Sequence, residues 1–317
     1  MKEVRGLSSH VKSASGHLSN KSVVNKSKAK ERLLIIGFLF PALALFGTFI
    51  IYPVLAAIEL SFQNWSGIYG APREFVGFQN YVSILQTRHF WNSMLNAFYF
   101  MVGGFVVLMP LSFGLGLLIT SKLKGTRFMK TSFFMPVMLS TTAVALMWVY
   151  ILNPSFGALN EMLRFLGLDF LAREWLSTPT LNVWSIIMVN TWMFAGYNML
   201  IFAAGLIAIP DSLYEAAEIE GCTGLKKIWY VSIPLSRESF KIFAVLCITG
   251  CLRVFDLVWA MTSGGPNRTT ETPATMLYNQ AFTFRQFGPS SAIGVMLLVL
   301  GVILSVMVTN LLKEKDI

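Results

Sequence analysis

Six apolar runs punctuate the chain, near 33–58, 94–119, 131–152, 183–208, 240–262 and 291–312. Each is long enough to cross about 30 Å of hydrocarbon, which takes roughly 20 helical residues. The pattern predicts six transmembrane helices in an all-α polytopic membrane protein. The first run is too long and too far from the start for a cleaved signal peptide, and no small-residue cleavage site follows it. Pro41, Pro53, Pro110 and Pro136, with Gly103, Gly104, Gly114 and Gly116, fall in the first three runs, where they permit kinks and close packing.

Polar segments between the runs carry the topology. Lys and Arg number 8 in residues 1–32, 4 in 120–130, 4 in 209–241 and 2 after 312, whereas each alternate segment holds two Arg. The positive-inside rule therefore predicts both termini to be cytoplasmic. The tail 1–32 reads as a solvated basic arm touching anionic lipid, and 313–317 as a short cytoplasmic end. Between the first two runs, 63–92 mixes Trp65, Tyr69, Phe75, Phe78, Tyr81, Phe90 and Trp91 with Gly and polar residues, as an interfacial aromatic belt with a short structured cap would.

Composition agrees. At 317 residues, 55% hydrophobic and with a mean hydropathy of +0.61, the chain holds more apolar surface than one soluble core can hide. The net charge of +9 does not point to nucleic acid, because the bases lie between apolar runs and not on one folded polar face. Cys222, Cys247 and Cys251 make no disulfide framework, and the last two read as small packing residues within a span.

The segment 209–234 is organised differently. From Ile209 it reads Ile-Pro-Asp-Ser-Leu-Tyr-Glu-Ala-Ala-Glu-Ile-Glu-Gly. Ser212 and Glu215 have capping-box spacing after Pro210, and Gly221 can take the positive φ that stops a helix. A bend at Gly221-Cys222-Thr223-Gly224 precedes a second short helix from Leu225, ended by Pro234. The expected result is an angled helical pair. Small Ala216 and Ala217 beside the carboxylate of Glu215 allow another protein to approach closely and be oriented by charge. An amphipathic helix lying on lipid fits less well, because Glu215, Glu218 and Glu220 would meet anionic headgroups.

Glu215-Ala216-Ala217, Gly221 three residues on, and Val231-Ser232-Ile233-Pro234 together resemble the EAA loop of ABC-importer permeases. Val231 for Ile and Ile233 for Leu are the departures from that pattern. The resemblance continues through Phe75-Val76-Gly77-Phe78-Gln79-Asn80-Tyr81, Phe156-Gly157-Ala158-Leu159-Asn160 and Thr262-Ser263-Gly264-Gly265-Pro266, and looks like the maltose and multiple-sugar branch. It implies an ABC type-1 importer permease core over 94–312, following a first helix and extracytoplasmic segment at 33–93. It further implies coupling to an ATPase dimer through Glu215, Ala216, Ala217, Gly221 and Pro234. A second permease subunit forming a heterodimer, an extracytoplasmic solute-binding protein and a carbohydrate substrate in the bacterial inner membrane are implied too. The chain contains no Gly-Lys dipeptide, hence no G-x-x-x-x-G-K-[ST] phosphate cradle. ATP and Mg are therefore expected on the partner, with no cofactor on this chain.

Candidate substrate contacts are polar or aromatic residues inside the spans, where such groups are costly unless they face a cavity or a partner. On the fourth run these are Asn190, Trp192, Tyr197 and Asn198, which combine amide hydrogen bonding with rings that stack on sugar C–H faces; helix–helix adhesion explains the amides equally well. Arg253 and Asp256, three apart on the fifth run, are expected to share a face as an ion pair, as a structural lock or a sugar contact. Trp259, Tyr278 and Asn279 lie near the outer end, where interfacial anchoring competes. His10, His17 and His89 all lie outside the spans, and neither an H-E-x-x-H nor a G-x-S-x-G motif occurs. An ion-coupled transporter or channel using Asp256, and a non-transporting scaffold, are the alternatives that the EAA spacing opposes.

Overall fold

The computed structural model describes residues 34–311 apart from Tyr69 and Lys122, so the basic tail 1–32, the end 313–317 and the aromatic Tyr69 lie outside the described residues. Two compact units divide the chain, Met1–Glu59 and Leu60–Ile317. The described part of the first is most of helix α1, Leu34–Ser61, whose apolar window contains no buried residue. Lipid or a partner subunit must cover such a surface.

In the second unit a short antiparallel pair, β1 (Gln63–Asn64) and β2 (Glu74–Phe75), leads to α2 (Gln79–Gln86). Asn80 holds this cap in place, its amide donating to the carbonyls of Ser61 (2.8 Å) and Gln63 (3.0 Å). Next come α3 (Arg88–Thr120), α4 (Thr126–Met138), α5 (Thr141–Ile151), α6 (Ala158–Phe165) and α7 (Leu181–Ile207). After α7 stand α8 (Asp211–Ile219), α9 (residues 225–235), α10 (Arg237–Leu252), α11 (Asp256–Thr262), α12 (residues 273–283) and α13 (Phe287–Leu311).

Among the described residues four helices, α1, α3, α7 and α13, are each long and apolar enough to cross a membrane unaided. The third and fifth expected spans are not single helices. The third is α4 and α5, bent by 96° at Leu139–Ser140, and the fifth is α10 and α11, bent by 44°. Ser140 takes an extended ψ of 130° and Phe255 a φ of −128°, backbone states that no hydropathy window registers. The six-run pattern thus resolves into four continuous helices and two bent helix pairs.

Helix α7 is the most buried span and organises the core. Phe100, Val144, Ala145, Ile186, Val189, Met193, Leu257 and Val258 form one buried cluster, and Leu108, Phe113, Phe202 and Phe243 another. Gly196 allows α4 to cross α7 at backbone contact, since a Cβ there would overlap the carbonyl of Phe133.

Three prolines leave a common mark. Pro53, Pro110 and Pro234 each stand two residues beyond a π-helical turn, at Gly47–Ile51, Gly104–Leu108 and Ile228–Ser232. Proline has no N–H and its ring crowds the carbonyl four residues back. Those carbonyls belong to Phe49, Val106 and Tyr230, the middle of each widened turn, so an i→i+5 ring relieves the clash that an α-helical ring would impose. Pro234 therefore lies within α9, which runs on to Leu235, and does not end it.

Candidate functional site

Helix α8 starts at Asp211 with Pro210 at the cap position, and no side chain caps it. The expected Ser212–Glu215 capping box is absent, because the cap falls at Pro210, two residues earlier, and Ser212 lies inside the first turn. Its other end is as expected: Gly221 has φ +80, Cys222 N–H donates to the Ala217 carbonyl (2.8 Å) and Gly221 N–H to that of Glu218 (3.0 Å), the paired bonds of a Schellman stop.

Gly224, with φ +56, turns the chain into α9. The two helices are clamped by the Tyr214 hydroxyl against Ser232 Oγ (3.1 Å) and by a Lys227–Glu218 salt bridge. Tyr214, Ile228 and Ile233 pack onto the core cluster around Phe202. On the other side Glu215, Ala216 and Gly221 are exposed, with Ala217 half-buried and Pro234 exposed at the end. Ile219, Leu225, Trp229 and Tyr230 add apolar surface, Ile219 being 88% exposed. Monomeric surfaces rarely carry such a cluster without a partner.

Within the bundle, the break between α10 and α11 opens a cleft of about 340 Å³ against α3 and α7. Asn190, Tyr197 and Asn198 line it from α7, and Arg253 and Asp256 from the break. The expected ion pair is not formed. Arg253 caps α10 at φ −107° while Asp256 starts α11, so the i,i+3 geometry of one helix is lost, and neither residue has an ion-pair partner among the described residues. Asn198 donates to the Phe194 carbonyl (2.9 Å). Asn190, Tyr197, Arg253 and Asp256 have no side-chain hydrogen bond among the described residues. Trp192 lies outside the cleft, edge to face with Trp148 at 5.6 Å, because it stands two residues from Asn190 and so on the opposite side of α7.

A second, apolar cleft of about 650 Å³ opens between α10, α12 and α13, and Arg253 and Phe255 line both. Tyr278 faces this second space. Trp259 stacks on Phe255 at 5.6 Å and meets Tyr278 edge to face at 4.7 Å, a ring cluster beside the clefts.

Asn279 is engaged elsewhere, donating to Glu271 Oε1 (3.0 Å). Glu271, missed in the sequence, is 1% exposed and paired with Arg268, Nη2 to Oε1 and Nε to Oε2 both at 3.0 Å. Asn96 ties this loop to α3 through the carbonyls of Thr269 and Glu271, both at 2.8 Å, and Asn182 ties it to α7 through Thr269 Oγ1. No apolar period marks Glu271 for burial; the only local signs were Arg268 three residues before it and Asn279 eight after.

Residues 111–315 match the family described as binding-protein-dependent transport system inner membrane component. The chain belongs to that family. This permease is 33% identical over 92% of its length, and 98% of the relative's, to a probable ABC transporter permease protein, YurN, of Bacillus subtilis. To the trehalose/maltose transport system permease protein MalF of Thermococcus litoralis it is 30% identical, over 86% of this chain and 92% of that one. In fold it is similar to a chain of a bacterial ABC transporter involved in import of the acidic polysaccharide alginate, with TM-score 0.79, 22% identity, and coverage of 91% and 98%. The permease is a translocation subunit that works with a separate ATPase, and the ion-coupled and scaffold readings fall.

Proposed function

We propose that this permease carries a carbohydrate through the cleft between α3, α7 and the α10–α11 break. The observation behind this is the set of four polar side chains, Asn190, Tyr197, Arg253 and Asp256, that reach the cleft with no partner of their own among the described residues. Polar groups inside apolar spans are costly unless they meet water, a partner or a ligand, and hydroxyl-rich rings offer donors, acceptors and C–H faces together. The Thermococcus litoralis relative, a trehalose/maltose transport system permease protein, supports the same class.

In this reading α8 and α9 are the coupling element, Glu215, Ala216 and Ala217 seating in a groove of the ATPase and Gly221 setting the angle between the helices. ATP and Mg act on that partner. A second permease subunit in a heterodimer completes the pathway, a solute-binding protein delivers the sugar from outside, and both termini face the cytoplasm of a bacterial inner membrane. Purification in mild detergent with the native neighbours, followed by mass spectrometry, tests the assembly: an ATPase and a distinct second permease are expected, and a lone oligomer of this chain would refute it. Uptake of labelled mono- and disaccharides by cells carrying the complex tests the substrate class.

A further inference from the structure

Cys247 and Cys251 stand four residues apart on α10, one helical turn, so their side chains leave the same face. Their sulfurs are 4.0 Å apart. Both thiols are half-buried and both line the 340 Å³ cleft. The neighbouring helix makes room for the first of them: at Gly104, the first residue of the π-helical turn in α3, any Cβ would overlap the Cys247 sulfur.

A direct disulfide does not suit this placement. Disulfides need Cβ atoms about 3.8 Å apart, whereas i,i+4 positions on a helix hold them about 5–6 Å apart. One interposed thiophilic atom removes that requirement, since each sulfur then bonds to the third atom. We propose that Cys247 and Cys251 form a two-thiol site in the cleft for a soft, thiophilic ligand such as a trivalent arsenical or a mercuric ion. Thiols select soft acceptors over hard ones. With phenylarsine oxide the reaction balances without an oxidant: two As–S bonds form, the As–O bond breaks, and the oxygen leaves as water with the two thiol protons. Cys222 lies in the bend between α8 and α9 and has no thiol neighbour among the described residues, so it serves as an internal control. The site depends on the cleft geometry alone and not on the carbohydrate reading.

The test uses the purified full chain in detergent, treated with phenylarsine oxide, washed free of excess and analysed by intact mass. One phenylarsenic per chain is expected, with alkylatable thiols in the denatured protein falling from three to one and returning to three after a dithiol chelator. Cys222→Ser retains the adduct; Cys247→Ser and Cys251→Ser lose it at least tenfold, since a single As–S bond hydrolyses on washing. Peptide mapping of the wild-type adduct needs no variant and must place the arsenic on the peptide that holds both cysteines. Retention of the adduct by either single variant, its location on Cys222, or no adduct on the wild type would overturn the proposal.

Discussion

The Thr272 hydroxyl donates to the carbonyl of Val254 at 2.6 Å, across the gap where α10 stops and α11 begins. A broken span leaves backbone carbonyls without helical partners inside the membrane, each a costly orphan, and a threonine 18 residues on satisfies this one. The same side chain closes a capping box with Thr275 at the start of α12. Thr272→Val keeps the shape and removes both bonds. A loss of about 1–3 kcal/mol is expected from the unsatisfied carbonyl, read as a lowered thermal midpoint in detergent, while Thr272→Ser stays near wild type.

Glu271 is the buried anion that holds the loop before α12, meeting Arg268 and Asn279. Removing one partner of a buried pair costs about 3–5 kcal/mol, less here because Arg268 is 28% exposed. Glu271→Ala is expected to abolish stable expression or lower the midpoint more than Thr272→Val does. Asn279→Ala, which leaves the ion pair in place, falls between wild type and Glu271→Ala in the same assay.

Backbone contact between α4 and α7 at Gly196 leaves no space for a methyl group. Gly196→Ala is expected to cost about 1–3 kcal/mol through overpacking. Gly114, with open space around it, is the matched control: Gly114→Ala is neutral or slightly stabilising in the same melting experiment.

For the docking pair, Glu215→Lys reverses the exposed charge, and Gly221→Asp places a side chain at φ +80, a strain of about 1 kcal/mol. Both are expected to reduce ATPase co-purification and uptake at least tenfold while leaving the thermal midpoint within a few degrees. Unchanged association in both variants would remove the coupling role from this segment.

In the cleft, Asn190→Ala and Tyr197→Phe are expected to raise the KM of uptake several-fold, since each loses a hydrogen-bonding group that has no internal partner. Trp192→Ala separates contact from packing. It is expected to lower stability, through its edge contact with Trp148, with less effect on KM than Asn190→Ala.

Hydrophobic period and short-range spacing were enough to read the spans as an all-helical set, the angled pair after α7, the stop at Gly221 and the family resemblance carried by Glu215, Ala216 and Ala217. These are local properties: the length of an apolar run, the φ that glycine allows and the offset between small and charged residues are written in neighbouring positions. What depended on the tertiary structure was where the spans break and which side chains then meet. A 44° bend separated Arg253 from Asp256 and turned both toward Asn190 and Tyr197, while Trp192, on the far side of α7, met Trp148 instead. Glu271 was drawn inside by Arg268, Asn279 and the loop anchored through Asn96 and Asn182, and Gly104 made space for Cys247. Apart from the near neighbours Arg268 and Asn279 of Glu271, these outcomes are set by groups tens to more than a hundred residues apart, or by backbone torsions at one or two positions, and neither is expressed in the hydropathy of any continuous stretch.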